Sequence, residues 1–434
     1  MKKNKLRQII PAAMVGNSLE FYDFTLFAFL SPILSSLFFP SDDKIASLIA
    51  TLGTFAVGYF IRPLGAIFFG YIGDKYGRKR ALTLSIILMA LPTFLIGLLP
   101  TYDTIGFIAP MALILLRFLQ GFCTGGEYNG AGIFVVENVE PHKAGFAGGM
   151  ITASSAIGSL LGSLVAGLCT LEMMPPWAWR GAFLFGIVVG LIGFYIRRRL
   201  TDAYLVEILE KKKQQLTFPL MEVIKTNLLG MLCTVGLAAF SGIMYYMSMS
   251  YVSVYLTVFQ KWAPSSALFV MSLGILCYIL LAPFFGWLSD KIGGAKVMGS
   301  GALATFLCIY PFLALLTSET SIIPVISAQL LLAMLAAWFQ GPMNLYMASL
   351  YSPETRYSGL AFSYCLGMAI FGGTTAMISI TLVHWFNSAL APAFYVIFGA
   401  IVGIVGVIVS KRKPYIAEDL PSGEVSIVPS FLAA

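Results

Sequence analysis

The chain has 434 residues, of which 58% are hydrophobic and 11% are charged, whereas a soluble globular chain carries about 25% charge. That balance excludes a soluble enzyme or binding domain and leaves an integral membrane protein. The formal charge of +7 does not point to nucleic acid, because the basic residues are distributed as a membrane topology requires.

Apolar runs of the roughly 20 residues needed to cross a bilayer recur from end to end. They fall near 10–38, 46–72, 81–99, 105–134, 145–171, 179–196, 227–257, 265–288, 297–316, 321–349, 358–384 and 390–410. The expected fold class is therefore an all-α integral membrane protein with twelve transmembrane helices in two six-helix halves. With both termini placed in the cytoplasm, 22 of the 27 Lys and Arg lie on that side and only Lys44, Arg180 and Lys261 lie in outer loops. That asymmetry sets the orientation. The first run is too long for a signal peptide and lacks a small-residue cleavage site, so it reads as a retained helix.

The first span carries "GNSLEFYDF", with Glu20 and Asp23 three residues apart and hence neighbours on a helix. The second carries Arg62, and the fourth carries Arg117 and Glu127 in "RFLQGFCTGGEYNG". Charges at such depth are costly and ordinarily face a cavity or a partner. At a rise of about 1.5 Å per residue, Glu20, Arg62 and Arg117 all fall about 15–18 Å into the bilayer, near its midplane. The reading is that Asp23 or Glu20 pairs with Arg117 when ionised. Burial raises a carboxyl pKa while a neighbouring arginine lowers it, so such a group can change protonation as the cavity opens to one side or the other. The alternative is a static ion pair that only holds helices together. Arg62 and Glu127 are candidate substrate contacts, against structural roles for each.

Between spans two and three, "GYIGDKYGRKR" places Gly70, Asp74, Gly77 and Arg78 where they can bridge helix ends in one orientation, a conformational latch. Gly158 and Gly162 in span five read as close helix packing. The polar stretch "RRRLTDAYLVEILEKKKQQLTFPL" from Arg197 then divides the chain six and six. It gives an N-terminal bundle over 1–196, a cytoplasmic linker over 197–226, a C-terminal bundle over 227–410 and a cytoplasmic tail over 411–434.

The second half echoes the first. "GWLSDKIGGAK" after span eight repeats the Gly, Asp, Gly spacing of the earlier loop and keeps Asp290, with Gly294 in place of Arg78, so its latch is expected to be weaker. "AWFQG" in span ten answers "RFLQG" in span four at a near-equal offset, which indicates an internal duplication. Repeated six-span halves place a substrate site between them near the midplane. The spans of this half carry aromatic and amide groups in place of charge. Tyr251 and Tyr255 in span seven and Gln340 and Asn344 in span ten are the candidate substrate contacts, within a wider set that includes Tyr245, Tyr246 and Tyr364. An aromatic wall opposite a carboxylate suits a zwitterion or quaternary ammonium through cation–π attraction.

Taken together, "GNSLEFYDF", "RPLGAIFFGYIGDKYGRK", "RFLQGFCTGGEYNGAGIFVVE" and "RYSGLAFSYCLGMAIFGGT" resemble the metabolite:proton symporter branch of the major facilitator superfamily, most of all its bacterial proline/betaine transporters. The resemblance implies proton-coupled symport of a small polar metabolite, with a proline- or betaine-type zwitterionic osmolyte first and a di- or tricarboxylate such as 2-oxoglutarate or citrate as the alternative. It implies a proton gradient and no cofactor, a functional monomer in the inner (cytoplasmic) membrane, and partners limited to substrate, proton and lipid. The six cysteines show no paired spacing, two histidines offer no metal set, and no "GxSxG" or phosphate loop is present, so no enzyme is expected.

Overall fold

The structure is a computed structural model that describes residues 2–76, 78–125, 127–201, 219–317, 322–352 and 355–411. These residues are helical with short connections, and no strand occurs among them. Nine helices are long and apolar enough to cross a membrane, and a bent pair, Met14–Phe29 with Ser31–Phe38 at 60°, makes a tenth. Helices Arg78–Leu98 and Trp179–Thr201 stand at the third and sixth expected positions, with shorter described apolar stretches.

Helix breaks follow local sequence. Span one bends where Pro32 restarts the helix in its first turn, a position at which a missing N–H costs nothing. Span two runs as Lys44–Phe60 and Arg62–Tyr76, with the turn at Ile61 just ahead of Pro63. Span four runs as Ile108–Cys123 and Glu127–Asn138, parted at a Gly-Gly pair. Spans seven and eleven each contain a π-helical turn, Met247–Tyr251 and Met368–Gly372. Wider turns of this kind leave a carbonyl needing a partner. Gln329 of span ten serves the first one, its Nε2 donating to the Ser248 carbonyl at 2.8 Å.

Spans two and four close on each other through glycine. A Cβ on Gly121 would overlap the Gly58 carbonyl oxygen, so the two backbones touch, as small residues permit in membranes. From either side of this contact the guanidinium groups of Arg62 and Arg117 reach the ring of Phe24, at 4.1 and 4.4 Å from its centroid. Gly158 meets the Ser18 carbonyl of span one in the same way, in line with the close packing expected there.

Span five (Ala144–Cys169) and span eight (Pro264–Ile292) run alongside each other and join the halves. Their polar contacts climb the membrane. The Asp290 carboxylate lies at one end, and Ser163 Oγ and Ser272 Oγ sit 2.8 Å apart farther along. Tyr245 of span seven adds a bond of 2.9 Å to Ser159 between these levels.

Candidate functional site

Arg117 is fully buried, and the side-chain hydrogen bond described for it is to Gln120. Its Nη1 donates to Gln120 Oε1 at 2.7 Å, and its Nε and Nη2 have no hydrogen-bond partner among the described residues. The guanidinium lies over aromatic faces, 4.4 Å from the Phe24 centroid, 4.6 Å from Phe27 and 5.1 Å from Phe55. Helix phase turns Asp23 away from Arg117. Phe24 and Phe27 stand four and seven residues after Glu20 and share its stripe, whereas Asp23 sits about 100° around the helix from Phe24. Rings therefore occupy the face turned toward span four.

Asp23 is directed instead at spans three and six. A Cβ built on Gly186 would stand 2.8 Å from Asp23 Oδ1 and 2.7 Å from Thr93 Cγ2, so the bare glycine provides the carboxyl group's room. Oδ1 has no hydrogen-bond partner among the described residues. Thr93 also accepts from Gln120 Nε2 at 2.7 Å. The chain Arg117, Gln120, Thr93 thus ends near Asp23, where the Thr93 methyl and Asp23 Oδ1 both face Gly186, while the Thr93 hydroxyl donates to the Met89 carbonyl at 3.2 Å. Gln120 and Thr93 escaped the sequence reading, since nothing distinguishes an amide or a threonine in an apolar run.

Arg62 occupies the centre. Its guanidinium carbon lies 4.1 Å from the centroids of both Phe24 and Tyr59, and its Nε and Nη2 are without hydrogen-bond partners among the described residues. The hydroxyls of Tyr59 and of its ring neighbour Tyr246 are buried and equally unpartnered. Cys365 of span eleven donates to the Gly125 carbonyl of span four at 3.2 Å, a contact between the halves.

Rings surround this cluster. Centroids step from Tyr59 to Tyr246 (5.5 Å), to Tyr245 (5.2 Å), to Phe21 (6.1 Å), to Tyr128 (5.9 Å) and to Tyr364 (5.4 Å). Of the aromatic set read from the sequence, Tyr245, Tyr246 and Tyr364 stand in this series, and Tyr251 and Tyr255 stand apart from it. Those two stack on each other at 5.7 Å and continue to Phe259, beyond the π turn that separates them from Tyr245 and Tyr246.

The two amides of span ten are engaged within the protein. Gln340 accepts from the Tyr278 hydroxyl at 2.6 Å and donates to the Ser241 carbonyl at 3.0 Å, which ties spans seven, eight and ten. Asn344 Nδ2 donates to the Gly148 carbonyl (3.1 Å) and Thr152 Oγ1 (3.0 Å), with the Tyr128 hydroxyl at 3.4 Å, so it ties the halves together. The Glu127 side chain lies outside the described residues. So do Gly77 and the side chains of Asp74 and Arg78, and with them the first latch that begins at Gly70.

The second latch is described. Both Asp290 carboxylate oxygens accept from the start of span five, Oδ1 from Gly145 N at 2.7 Å and Oδ2 from Phe146 N at 2.8 Å. Helix N-terminal amides lack partners of their own, and a carboxylate there is further favoured by the helix dipole. Lys143, at the helix's own N-cap position, makes no such bond, so the cap comes from the opposite half. A Cβ on Gly145 would overlap the Gly286 carbonyl oxygen, so glycine allows this approach. On the same side Arg356 Nη1 meets Glu137 Oε1 at 2.8 Å, a mostly buried ion pair between spans eleven and four. Both residues stand at the ends of motif segments in the sequence, where their mutual contact left no periodic trace.

Two sets of apolar helices, joined at one end by Asp290 and by the Glu137–Arg356 pair and enclosing charged and aromatic groups, have the architecture of a membrane transport protein. The sequence matches the Major Facilitator Superfamily model over residues 13–261 and again over 234–432, and the chain belongs to that family. It is 34% identical over 417 residues to a proline/betaine transporter of Salmonella typhimurium, covering 92% of this chain and 82% of the relative. It is 34% identical over 415 residues to the glycine betaine/proline/ectoine/pipecolic acid transporter OusA of Dickeya dadantii, covering 92% and 82%. In fold it is similar to a D-xylose-proton symporter, with a TM-score of 0.69 at 16% identity over 93% of this chain and 96% of that one.

Proposed function

We propose that the protein is a proton-coupled symporter of a small zwitterionic osmolyte of the proline and betaine kind. It would act as a monomer in the inner membrane, with both termini cytoplasmic and with halves at 1–196 and 227–410. The observation that carries the reading is the set of unspent buried donors at the junction of the halves: Arg62 Nε and Nη2, Tyr59 Oη and Tyr246 Oη. Buried donors without partners are costly, and a carboxylate satisfies several at once. A substrate carboxylate placed among Arg62, Tyr59 and Tyr246 would give these donors their acceptor. Relatives at about a third identity bear the names of proline and betaine transporters.

Asp23 carries the proton. A buried carboxyl facing Gly186 is most stable neutral, and its ionisation when the cavity opens changes the packing of spans one, three and six. Protonation of Asp23 would bias the two orientations through the packing of spans one, three and six around it. Asp290 and the Glu137–Arg356 pair hold the cytoplasmic face in the orientation described.

Proteoliposomes with an imposed inward proton gradient test this. Labelled proline or betaine accumulates, and a protonophore abolishes the accumulation. Gradient-insensitive uptake overturns the coupling, and accumulation of 2-oxoglutarate in place of proline and betaine establishes the dicarboxylate reading.

A further inference from the structure

Span ten stops at Gln340 and resumes as the short segment Met343–Ala348, because Pro342 has no N–H with which to continue the ladder. The short segment faces two ways. Tyr346 Oη stands 2.7 Å from Ser410 Oγ of span twelve, in its own half, while Asn344 reaches across the seam into spans four and five of the other half. Resting on the transporter reading above, we propose that Asn344 is the inner pin of the cytoplasmic gate and not a substrate contact: its amide holds that side shut and must leave its slot before solute is released inward.

Glycine shapes the slot. A Cβ on Gly132 of span four would stand 2.6 Å from Asn344 Oδ1, and one on Gly148 of span five would stand 3.2 Å from Asn344 Cβ, so both bare glycines make room for this buried side chain. The amide nitrogen donates to the Gly148 carbonyl at 3.1 Å and to Thr152 Oγ1 at 3.0 Å. A carbonyl only accepts, so the nitrogen and not the oxygen of the amide faces span five. Gly148 lies three residues along span five from Gly145, whose N–H the Asp290 carboxylate holds, and the pin therefore sits about 5 Å inside that cap. While the seam is closed no water replaces these bonds, and an amide withdrawn from them leaves buried donors and acceptors unsatisfied. Once the cytoplasmic side opens, water serves them all. The bonds thus favour one orientation over the other. A group that acts in this way changes populations, whereas a group that binds solute changes affinity from both faces alike.

Proteoliposomes of uniform orientation give the half-saturating proline concentration from the outer and from the cytoplasmic face. Asn344→Asp keeps the size of the side chain and loses both N–H donors. The ratio of the outer value to the cytoplasmic value is expected to rise about tenfold, the factor by which the closed orientation loses ground. Gly132→Ala displaces the amide from the side of span four, and Thr152→Val removes one acceptor, so each should move the ratio the same way. A lost substrate contact raises both values together and leaves their ratio native. A ratio within about twofold of native in Asn344→Asp overturns the pin while leaving proline uptake and the symporter reading intact. Absence of proline and betaine uptake in the native chain overturns that reading, and the pin is then decided without solute, as it is for a variant that does not transport. With the native cysteines removed, a Ser289→Cys reporter, buried at the cytoplasmic seam, reacts about tenfold faster with an impermeant maleimide when Asn344→Asp is added. An unchanged labelling rate overturns the pin.

Discussion

The position of one residue on its helix decides what Asp23 can do. Three residues from Glu20 in sequence, it is turned by span one toward Gly186 and Thr93, while Phe24 and Phe27 face Arg117. Asp23→Asn fixes the neutral form. Gradient-driven accumulation is expected to disappear while counterflow of substrate across the same vesicles continues, and unchanged uphill uptake would exclude Asp23 as the proton carrier. Gly186→Ala places a methyl group 2.8 Å from Oδ1 and is expected to impair accumulation as well. Arg62→Lys keeps the charge and loses the flat, multiply donating guanidinium that lies on Phe24 and Tyr59. The half-saturating proline concentration should rise about tenfold or more, a loss of the size expected for charge-assisted bonds. A value within twofold of native would remove Arg62 from the carboxylate site.

Single helices supply the switching parts. Span five begins without a cap from its own chain neighbours and receives one from Asp290 in the opposite half. Capping bonds are worth about 0.5–2 kcal/mol, enough to change the balance of two orientations several-fold. In Asp290→Ala the cytoplasmic seam opens more often. With the native cysteines removed, a Ser289→Cys reporter, buried beside Asp290, should react faster with an impermeant maleimide applied from the cytoplasmic side. Equal labelling rates with and without the aspartate would show that the cap holds nothing closed.

Across the whole molecule the cytoplasmic closure rests on that cap and on Glu137–Arg356, which joins different spans. Removing one partner of a largely buried pair leaves a charge uncompensated and costs about 3–5 kcal/mol. Glu137→Gln is therefore expected to raise cytoplasmic labelling more than Asp290→Ala does. The double variant should approach the sum of the two effects where the sites act independently. Labelling in the double variant no greater than in either single one would indicate one coupled seam.

The sequence by itself determined the membrane class, the all-α fold and the two related halves, which the two family matches bear out. Each of these follows from composition or from the spacing of apolar runs and motifs along the chain. Tertiary structure alone decided which groups meet. Arg117 found Gln120 and three rings where a carboxylate was expected, and the aromatic surface formed around Tyr245 and Tyr246 with rings from spans one, two, four and eleven instead of along Tyr251 and Tyr255. In a bundle whose helices are apolar almost all round, hydropathy marks no inward face. Helix rotation is then set by small-residue contacts such as Gly58 against Gly121, whose partners are remote in sequence.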